Sequence, residues 1–477
     1  MSDIKSRLQG TKSTIRSIEG FLEIALLTVL YYFFWRLRYG REVFPAYYGG
    51  GKYVLSAVYV LLVLVVFFNF DGFKFGYLKL SDTVVSQWIS LLIVNFITYL
   101  QLSLIANQLI NPVPLLELTI MQAAVALACC AAFTKIYHHL YVPKNMVMVF
   151  GRESAVILKL KMDARSDKYN ITKLIPETAG LEKICREIVK YDAVVISDVS
   201  AELRNAILKF CYKNELRAYV APKLSDIIVR GATEITLFDT PLLLVRSRGL
   251  TPSQRCMKRT MDVVLCLVAL VVAAPVMLVV ALAIKLEDGG PVFYKQWRVS
   301  RDGKAFEILK FRSMIVDAEK EGETLSATDD DPRITRVGRI TRAFRIDELP
   351  QILNILKGDM SIVGPRPERV EHVERFSEVI PEFGYRLKVK GGLTGYAQIY
   401  GKYNTSPYDK LRLDLMYIEN YSLMLDIKLI LQTIRIMLNK ESTEGIDKAE
   451  AREKRTQEVL DEYVDPLDDE ELVGAGK

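Results

Sequence analysis

Lys258-Arg259-Thr260-Met261-Asp262-Val263-Val264-Leu265-Cys266-Leu267-Val268-Ala269-Leu270-Val271-Val272-Ala273-Ala274-Pro275-Val276-Met277-Leu278-Val279-Val280-Ala281-Leu282-Ala283-Ile284-Lys285-Leu286 is the stretch on which the fold turns. Val263 to Ile284 would span about 33 Å as a straight helix, enough to cross a bilayer. Ala274-Pro275 sits near its middle, and proline removes a backbone donor and crowds the preceding turn, so the sequence predicts a kink there. Both flanks are basic: Lys258 and Arg259 before the run, Lys285, Lys295, Arg298 and Arg301 after it. Basic flanks favour the cytoplasmic side. Length, proline and charge agree on a bent helix over 258–286 that enters and leaves one face of the membrane. An ordinary fifth span would carry everything downstream to the other side.

Upstream, four more apolar runs are long enough to span, at about 18–36, 53–70, 84–110 and 115–137. Lys5, Arg7, Lys12 and Arg16 precede the first, Lys74 and Lys79 follow the second, and Lys135 and Lys144 follow the fourth. These place the loops they lie in on the cytoplasmic side; Arg36, Arg38 and Arg41 run against the rule. Residues 1–142 are read as a four-span region with both ends inside, and Asn95, Gln101 and Asn107 as amides that bond neighbouring helices. No small-residue cleavage site follows the first run, so it is read as an anchor. Six cysteines without Cys-x-x-Cys spacing and three histidines argue against a disulfide framework or a histidine-rich zinc site. A net charge of +6, with basic residues beside apolar blocks, suits a membrane surface and not nucleic acid.

Residues 143–248 change pattern. Met146-Val147-Met148-Val149-Phe150, Ala193-Val194-Val195-Ile196-Ser197 and Arg217-Ala218-Tyr219-Val220-Ala221 read as buried strands separated by helical stretches. This predicts a Rossmann-like, CoA-binding-like α/β domain. Gly151 after the first strand has no companion glycines, so a dinucleotide fingerprint is missing.

Residues 249–440 hold the chemistry. Lys310 and Arg312 lie two apart in an alternating stretch, which would face both cations one way to clamp a diphosphate. An arginine recurs at 333, 336, 339, 342 and 345, and Gly338 is expected to break that segment. Asp347-Glu348 follows. Adjacent carboxylates raise each other's pKa unless cations compensate, and Arg342 and Arg345 are near enough to do so. Asp347 is read as a covalent nucleophile toward phosphorus and Glu348 as a Mg²⁺ ligand. Gly364-Pro365-Arg366-Pro367-Glu368 is a rigid turn presenting a planar guanidinium to phosphate. Gly391-Gly392-Leu393-Thr394-Gly395-Tyr396-Ala397-Gln398 offers a loop with an aromatic ring and, in Gln398, an amide for a nucleobase or phosphate. Leu415 to Asn439 reads as amphipathic helices on the bilayer. Residues 441–477 are a charged, partly disordered tail.

Lys310-Phe311-Arg312-Ser313-Met314, Asp331-Pro332-Arg333-Ile334-Thr335, Asp347-Glu348-Leu349-Pro350-Gln351, Gly358-Asp359-Met360-Ser361, Gly364-Pro365-Arg366-Pro367, Gly392-Leu393-Thr394-Gly395 and Asp426-Ile427-Lys428 occur in this order. Over about 254–440 the chain resembles the bacterial sugar transferases, the polyprenyl-phosphate hexose-1-phosphate transferases, in their long form with four N-terminal spans. The resemblance implies a mostly helical, monotopic catalytic domain on the cytoplasmic face of the bacterial inner membrane, with Ala274 and Pro275 at the bend of a re-entrant helix. It implies that Asp347 attacks the β-phosphorus of a UDP-sugar and releases UMP. Undecaprenyl phosphate then takes the sugar phosphate from the carboxylate, the first membrane step of exopolysaccharide, capsule or O-antigen synthesis. Glu348 would hold Mg²⁺, and Arg342, Arg345, Arg366, Lys310 and Arg312 would neutralise phosphates. Glucose and galactose lead as the sugar; membrane lipid is a partner, the oligomeric state stays open, and a homodimer through the N-terminal half is one option. Two other readings stay open on sequence: a metal-dependent glycosyltransferase that uses Asp329 and Asp331 and releases UDP, and a non-enzymatic membrane scaffold.

Overall fold

The computed structural model describes residues 2–39, 50–76, 78, 80–141, 143–151, 154–245, 249–316, 331–401 and 405–437, the side chains of 2–13, 138–140, 154, 435 and 437 excepted. Asp329, Arg41, Lys79 and the charged tail lie outside them. The chain forms two compact units, Met1–Pro143 and Lys144–Lys477.

The first unit is a bundle of α1 (Ser2–Arg38), α2 (Gly51–Asn69), α3 (Leu80–Ala106) and α4 (Val113–Leu140). Each contains a stretch long and apolar enough to cross a membrane. Its polar side chains bond to one another. Asn95 of α3 donates to Thr119 and Gln122 of α4, each at 2.9 Å, and Gln122 donates to Tyr59 of α2 at 2.8 Å. A buried amide without a partner is costly, so these contacts fix how the helices register.

The second unit begins with a parallel sheet. Its strands are β1 (Lys144–Phe150), β2 (Tyr169–Pro176), β3 (Ala193–Ser197) and β4 (Arg217–Val220), in the order β2-β1-β3-β4. Between them run α5 (Ser154–Asp163), α6 (Leu181–Ile188) and α7 (Ala201–Lys213), and α8 (Leu224–Arg230) follows β4. Alternation divides the core in two. Met146 and Met148 pack with Ala155 and Val156 of α5 on one face, while Val147 and Val149 pack with Ile184 of α6 and Ile207 of α7 on the other. Both faces are covered, which is what near-continuous apolar strands require. An antiparallel hairpin, β5 (Thr233–Leu237) and β6 (Thr240–Leu244), comes next, with every residue exposed.

The long apolar run is α9, which extends unbroken from Pro252 to Asp288. Its start is a capping box: Thr251 Oγ1 accepts from the Gln254 backbone N–H at 3.3 Å, and Gln254 Oε1 accepts from the Thr251 N–H at 2.8 Å. Gly289, left-handed at φ +70°, ends it. Pro275 lies inside the helix, on its exposed side.

Next come the hairpin β7 (Phe293–Val299) and β8 (Ala305–Phe311), then α10 (Arg336–Ala343), α11 (Gln351–Lys357), β9 (Ser361–Val363) and α12 (Val370–Val379). The chain continues through β10 (Gly392–Thr394), α13 (Tyr396–Tyr400), α14 (Pro407–Glu419) and α15 (Leu423–Met437). One face of α9 packs along this assembly for most of the helix. Cys266, Leu270 and Ala273 meet Phe306 and Ile308 of β8 and Ile355 of α11, and further on Met277, Val280 and Ile284 meet Phe311 and Val337. The opposite face, including Val264, Val271, Val272, Val279 and Leu282, is exposed.

Polar contacts hold both ends of α9. Near its start, Lys258 pairs with Asp426 of α15 at 2.6 Å, Asp262 accepts from Ser361 Oγ and the Ile362 N–H, and Arg259 donates to the Ile355 and Leu356 carbonyls. At its end, Glu287 accepts from the Arg336 N–H at 2.7 Å, and Asp288 pairs with Arg312.

Candidate active site

The arginine-rich segment does not break at Gly338. That residue lies within α10, buried, where a Cβ would stand 2.0 Å from the Ser313 carbonyl oxygen, so only glycine lets α10 approach that backbone. The break falls at Arg345, a non-glycine residue in the left-handed region at φ +53°. This αL residue turns the chain out of α10 into a single 3-10 turn, Ile346–Glu348, which presents the two carboxylates. Strained backbone of this kind gathers at functional sites.

Glu348 receives both of its cations from elsewhere in the fold. Lys310, near the end of β8, donates to Glu348 Oε1 at 3.1 Å. Arg366, on the turn after β9, donates to the same oxygen at 3.2 Å. The Glu348 side chain is 14% exposed and that of Lys310 19%, so the contact is largely removed from water. Burial pushes the Glu348 carboxyl up, but the Arg366 and Lys310 charges outweigh it and hold the group well below the usual carboxylate range. Asp347 goes the other way. Burial raises its pKa, Lys310 opposes, the Glu348 charge adds to the rise, and Arg342 and Arg345 only partly offset it. Burial also lowers the Lys310 pKa. Among the described residues no hydrogen bond reaches the Asp347 carboxylate.

A second row braces Arg366. Arg386 donates to the Arg366 carbonyl at 3.0 Å while pairing with buried Asp414 at 2.8 Å. The glycine loop serves packing. A Cβ on Gly392 or Gly395 would stand 2.1 Å from the backbone of Gly364, so these glycines let β10 lie against the turn that carries Arg366. Gln398 donates to the Leu393 carbonyl within its own loop at 3.1 Å, and among the described residues no hydrogen bond ties it to Glu348.

Arg312 does not join Lys310. Strand β8 ends at Phe311, so strand alternation no longer governs Arg312. Its guanidinium grips Asp288 through two nitrogens and donates to the Pro291 carbonyl at 2.7 Å. Asp331 is engaged as well: Arg333 bonds both its oxygens and holds its pKa at about 2. Sequence reasoning missed Asp288, Asp262 and Asp414. Asp288 had left a signal, because an acid in the last turn of a helix opposes the macrodipole and calls for a specific cation.

The cluster suits phosphate chemistry: two cations and two flanking arginines lie around a carboxylate that no hydrogen bond reaches among the described residues. No group of three or more His, Cys, Asp or Glu side chains that could hold a metal occurs among the described residues. Mg²⁺ fits nonetheless, because it is commonly held by one or two carboxylates plus substrate phosphates, and both cation contacts to Glu348 fall on Oε1 alone.

Residues 253–440 match the family model for bacterial sugar transferases. The chain is 34% identical to the UDP-N-acetylgalactosamine-undecaprenyl-phosphate N-acetylgalactosaminephosphotransferase of Aeromonas hydrophila over 321 residues, covering 66% of this chain and 71% of that one. It is 41% identical to the UDP-glucose:undecaprenyl-phosphate glucose-1-phosphate transferase of Escherichia coli K12 over 211 residues, 43% of this chain and 44% of the relative. It is 36% identical to the undecaprenyl-phosphate galactose phosphotransferase of Salmonella typhimurium LT2, over 60% of this chain and 63% of the relative. The matches to these last two cover less than two thirds of the relative's length.

Proposed function

Because this chain belongs to the bacterial sugar transferase family, and is therefore a phosphoglycosyl transferase, we propose that it moves a sugar 1-phosphate from a UDP-sugar to undecaprenyl phosphate in two displacements at Asp347. A carboxylate oxygen of Asp347 attacks the β-phosphorus, the bond to the bridging oxygen breaks, and UMP leaves with that electron pair. An oxygen of undecaprenyl phosphate then attacks the same phosphorus and returns the electrons to Asp347, giving undecaprenyl-diphosphate-sugar. The observation that carries this is the contrast between neighbours: Glu348 is held ionised by Lys310 and Arg366, while Asp347 has no donor among the described residues and a raised pKa, which makes its carboxylate more basic. Lys310, Arg366, Arg342 and Arg345 take the phosphate charge as it shifts. Glu348 and donor phosphate oxygens would hold Mg²⁺, which withdraws charge from the diphosphate when bound.

The packing of α9 supports a monotopic, re-entrant arrangement. A spanning helix would carry its two ends to opposite sides of the bilayer, yet one face of α9 lies on the catalytic assembly near both ends, and polar contacts hold both. The exposed apolar face is left for lipid, with the site on the cytoplasmic side of the inner membrane. A homodimer belongs to the same proposal. Hairpin β5–β6, with Phe238 exposed at its tip, is the surface it would use, and the mass of the protein in nanodiscs reads one chain or two. The engagement of Asp331 with Arg333 gives no support to a donor-metal site there.

The test is a panel of UDP-glucose, UDP-galactose and UDP-N-acetylgalactosamine with undecaprenyl phosphate and Mg²⁺. UMP release by the native chain and none by Asp347→Asn is expected. UDP as the product, or full activity in Asp347→Asn, would sink the reading.

A further inference from the structure

A cavity of about 900 Å³ opens at the carboxyl ends of the parallel strands, apart from the Asp347 cluster. Strand order places it there. The chain leaves β1 for α5 on one face of the sheet and leaves β3 for α7 on the other, so the connections diverge between these neighbouring strands. In open parallel sheets that divergence forms the ligand crevice. Here α14 and the end of α12 close it, contributing Tyr408 and Val379.

The floor is built to hold a carboxylate. Glu177 directly follows β2, and its Oε1 accepts from the Ser200 N–H beyond β3 at 2.9 Å. Its Oε2 lies against Gly151, where a Cβ would stand 2.6 Å from that oxygen and 2.4 Å from the Asp198 carbonyl oxygen. Asp198 itself is held at φ +54°, a second strained residue at a strand end. An acid after the second strand is the group that takes ribose hydroxyls in nucleotide-binding sheets of this kind. Ile157 and Leu158 of α5, with Val379 and Tyr408, supply an apolar wall for a base, and Lys223 a cation for one phosphate. Gly151 has no companion glycines in the sequence, so the fingerprint that brings a pyrophosphate close to the backbone is missing.

We propose that this cavity binds a ribonucleoside monophosphate, with Glu177 on the ribose hydroxyls. The site is separate from the one that carries transfer.

The test is equilibrium dialysis of the full chain in nanodiscs against tritiated UMP and AMP and their 2′-deoxy forms. One ribonucleotide site per chain is expected beyond any UMP site that Asp347→Asn or excess donor perturbs, with the 2′-deoxy form about tenfold weaker, as for loss of a charge-assisted hydrogen bond. Glu177→Gln, which keeps an acceptor for Ser200, should weaken that site by a similar factor and leave UMP release unchanged. Leu158→Trp, which fills the cavity from α5, should abolish it. Preference for UMP or for AMP would identify the base, and either supports the proposal. It is overturned if neither nucleotide shows the additional site, if ribo and deoxy forms bind it equally, or if Leu158→Trp leaves occupancy intact. These outcomes are read by binding, so they stand apart from whether the transfer reaction itself is as proposed.

Discussion

Two buried clusters of opposite charges lie in the same half of the molecule and are wired differently. Where α9 begins, Asp426 gives one oxygen to Lys258 and the other to the Tyr417 hydroxyl, and Asp262 divides its oxygens between Ser361 and the Ile362 N–H. Every carboxylate oxygen there has its own donor. In the Asp347 cluster, Lys310 and Arg366 crowd onto one oxygen of Glu348, and Asp347 beside it has no hydrogen-bond donor among the described residues. The first arrangement is saturated and anchors a helix. The second is unbalanced and leaves a carboxylate and two cations for the role proposed for them.

The largest test of that contrast removes each carboxylate's role in turn. Asp347→Asn should lower UMP release at least about 10³-fold, as for loss of a covalent nucleophile. Its melting temperature should hold or rise, because an ionised Asp347 with a raised pKa costs stability at neutral pH. Lys258→Met should do the reverse. Leaving Asp426 buried without its cation should cost about 3–5 kcal/mol, read as a lower melting temperature, while the protein that stays folded keeps its turnover rate. Equal loss of both properties in both variants would erase the distinction.

Arg366→Lys keeps the charge but not the planar fork, and should reduce kcat/KM about 10- to 100-fold with little change in melting. The pH profile separates the clusters further. On the proposed mechanism Asp347 must be ionised to attack and its pKa is raised, so kcat/KM should fall about tenfold per pH unit as the pH drops through that raised value. Glu348 is depressed, so its contribution to stability is present above its unfolded pKa and is lost only as pH falls from there through the lower folded value. A window should therefore exist in mild acid where the protein is folded and inactive, and coincident loss of activity and circular dichroism would contradict it. Smallest of all, Arg312→Lys should cost about 1–2 kcal/mol through the lost second bond to Asp288, with the donor KM unchanged. A raised KM would return Arg312 to the phosphate site.

The difference in wiring also explains what the sequence could and could not say. The spans, the buried strands and the Asp347-Glu348 pair follow from local periodicity and composition, so they are legible. Lys310 and Arg366 can be picked out as phosphate-seeking cations, but not as partners of one oxygen, because they reach Glu348 from 38 and 18 residues away. Arg312 falls one residue beyond the end of β8, where strand alternation no longer sets its direction. The Gly392 loop has the composition of a phosphate cradle, and only the approach of Gly364 shows that its glycines make room for backbone. Helix α9 shows the same division: length and proline are local, whereas the pairing of its ends with Asp426 and Arg312 depends on the whole assembly.

The sharing of one Glu348 oxygen has a consequence for selectivity. Without Glu348, Lys310 and Arg366 would repel each other with no counter-ion between them, and any passing anion would be welcome. With it, the resting site carries its own counter-ion, and an arriving phosphate must exchange with a carboxylate that is already in place. Singly charged anions gain little from such an exchange, whereas a diphosphate meets both cations at once. On the proposed mechanism, the site would therefore favour a diphosphate over chloride or inorganic phosphate.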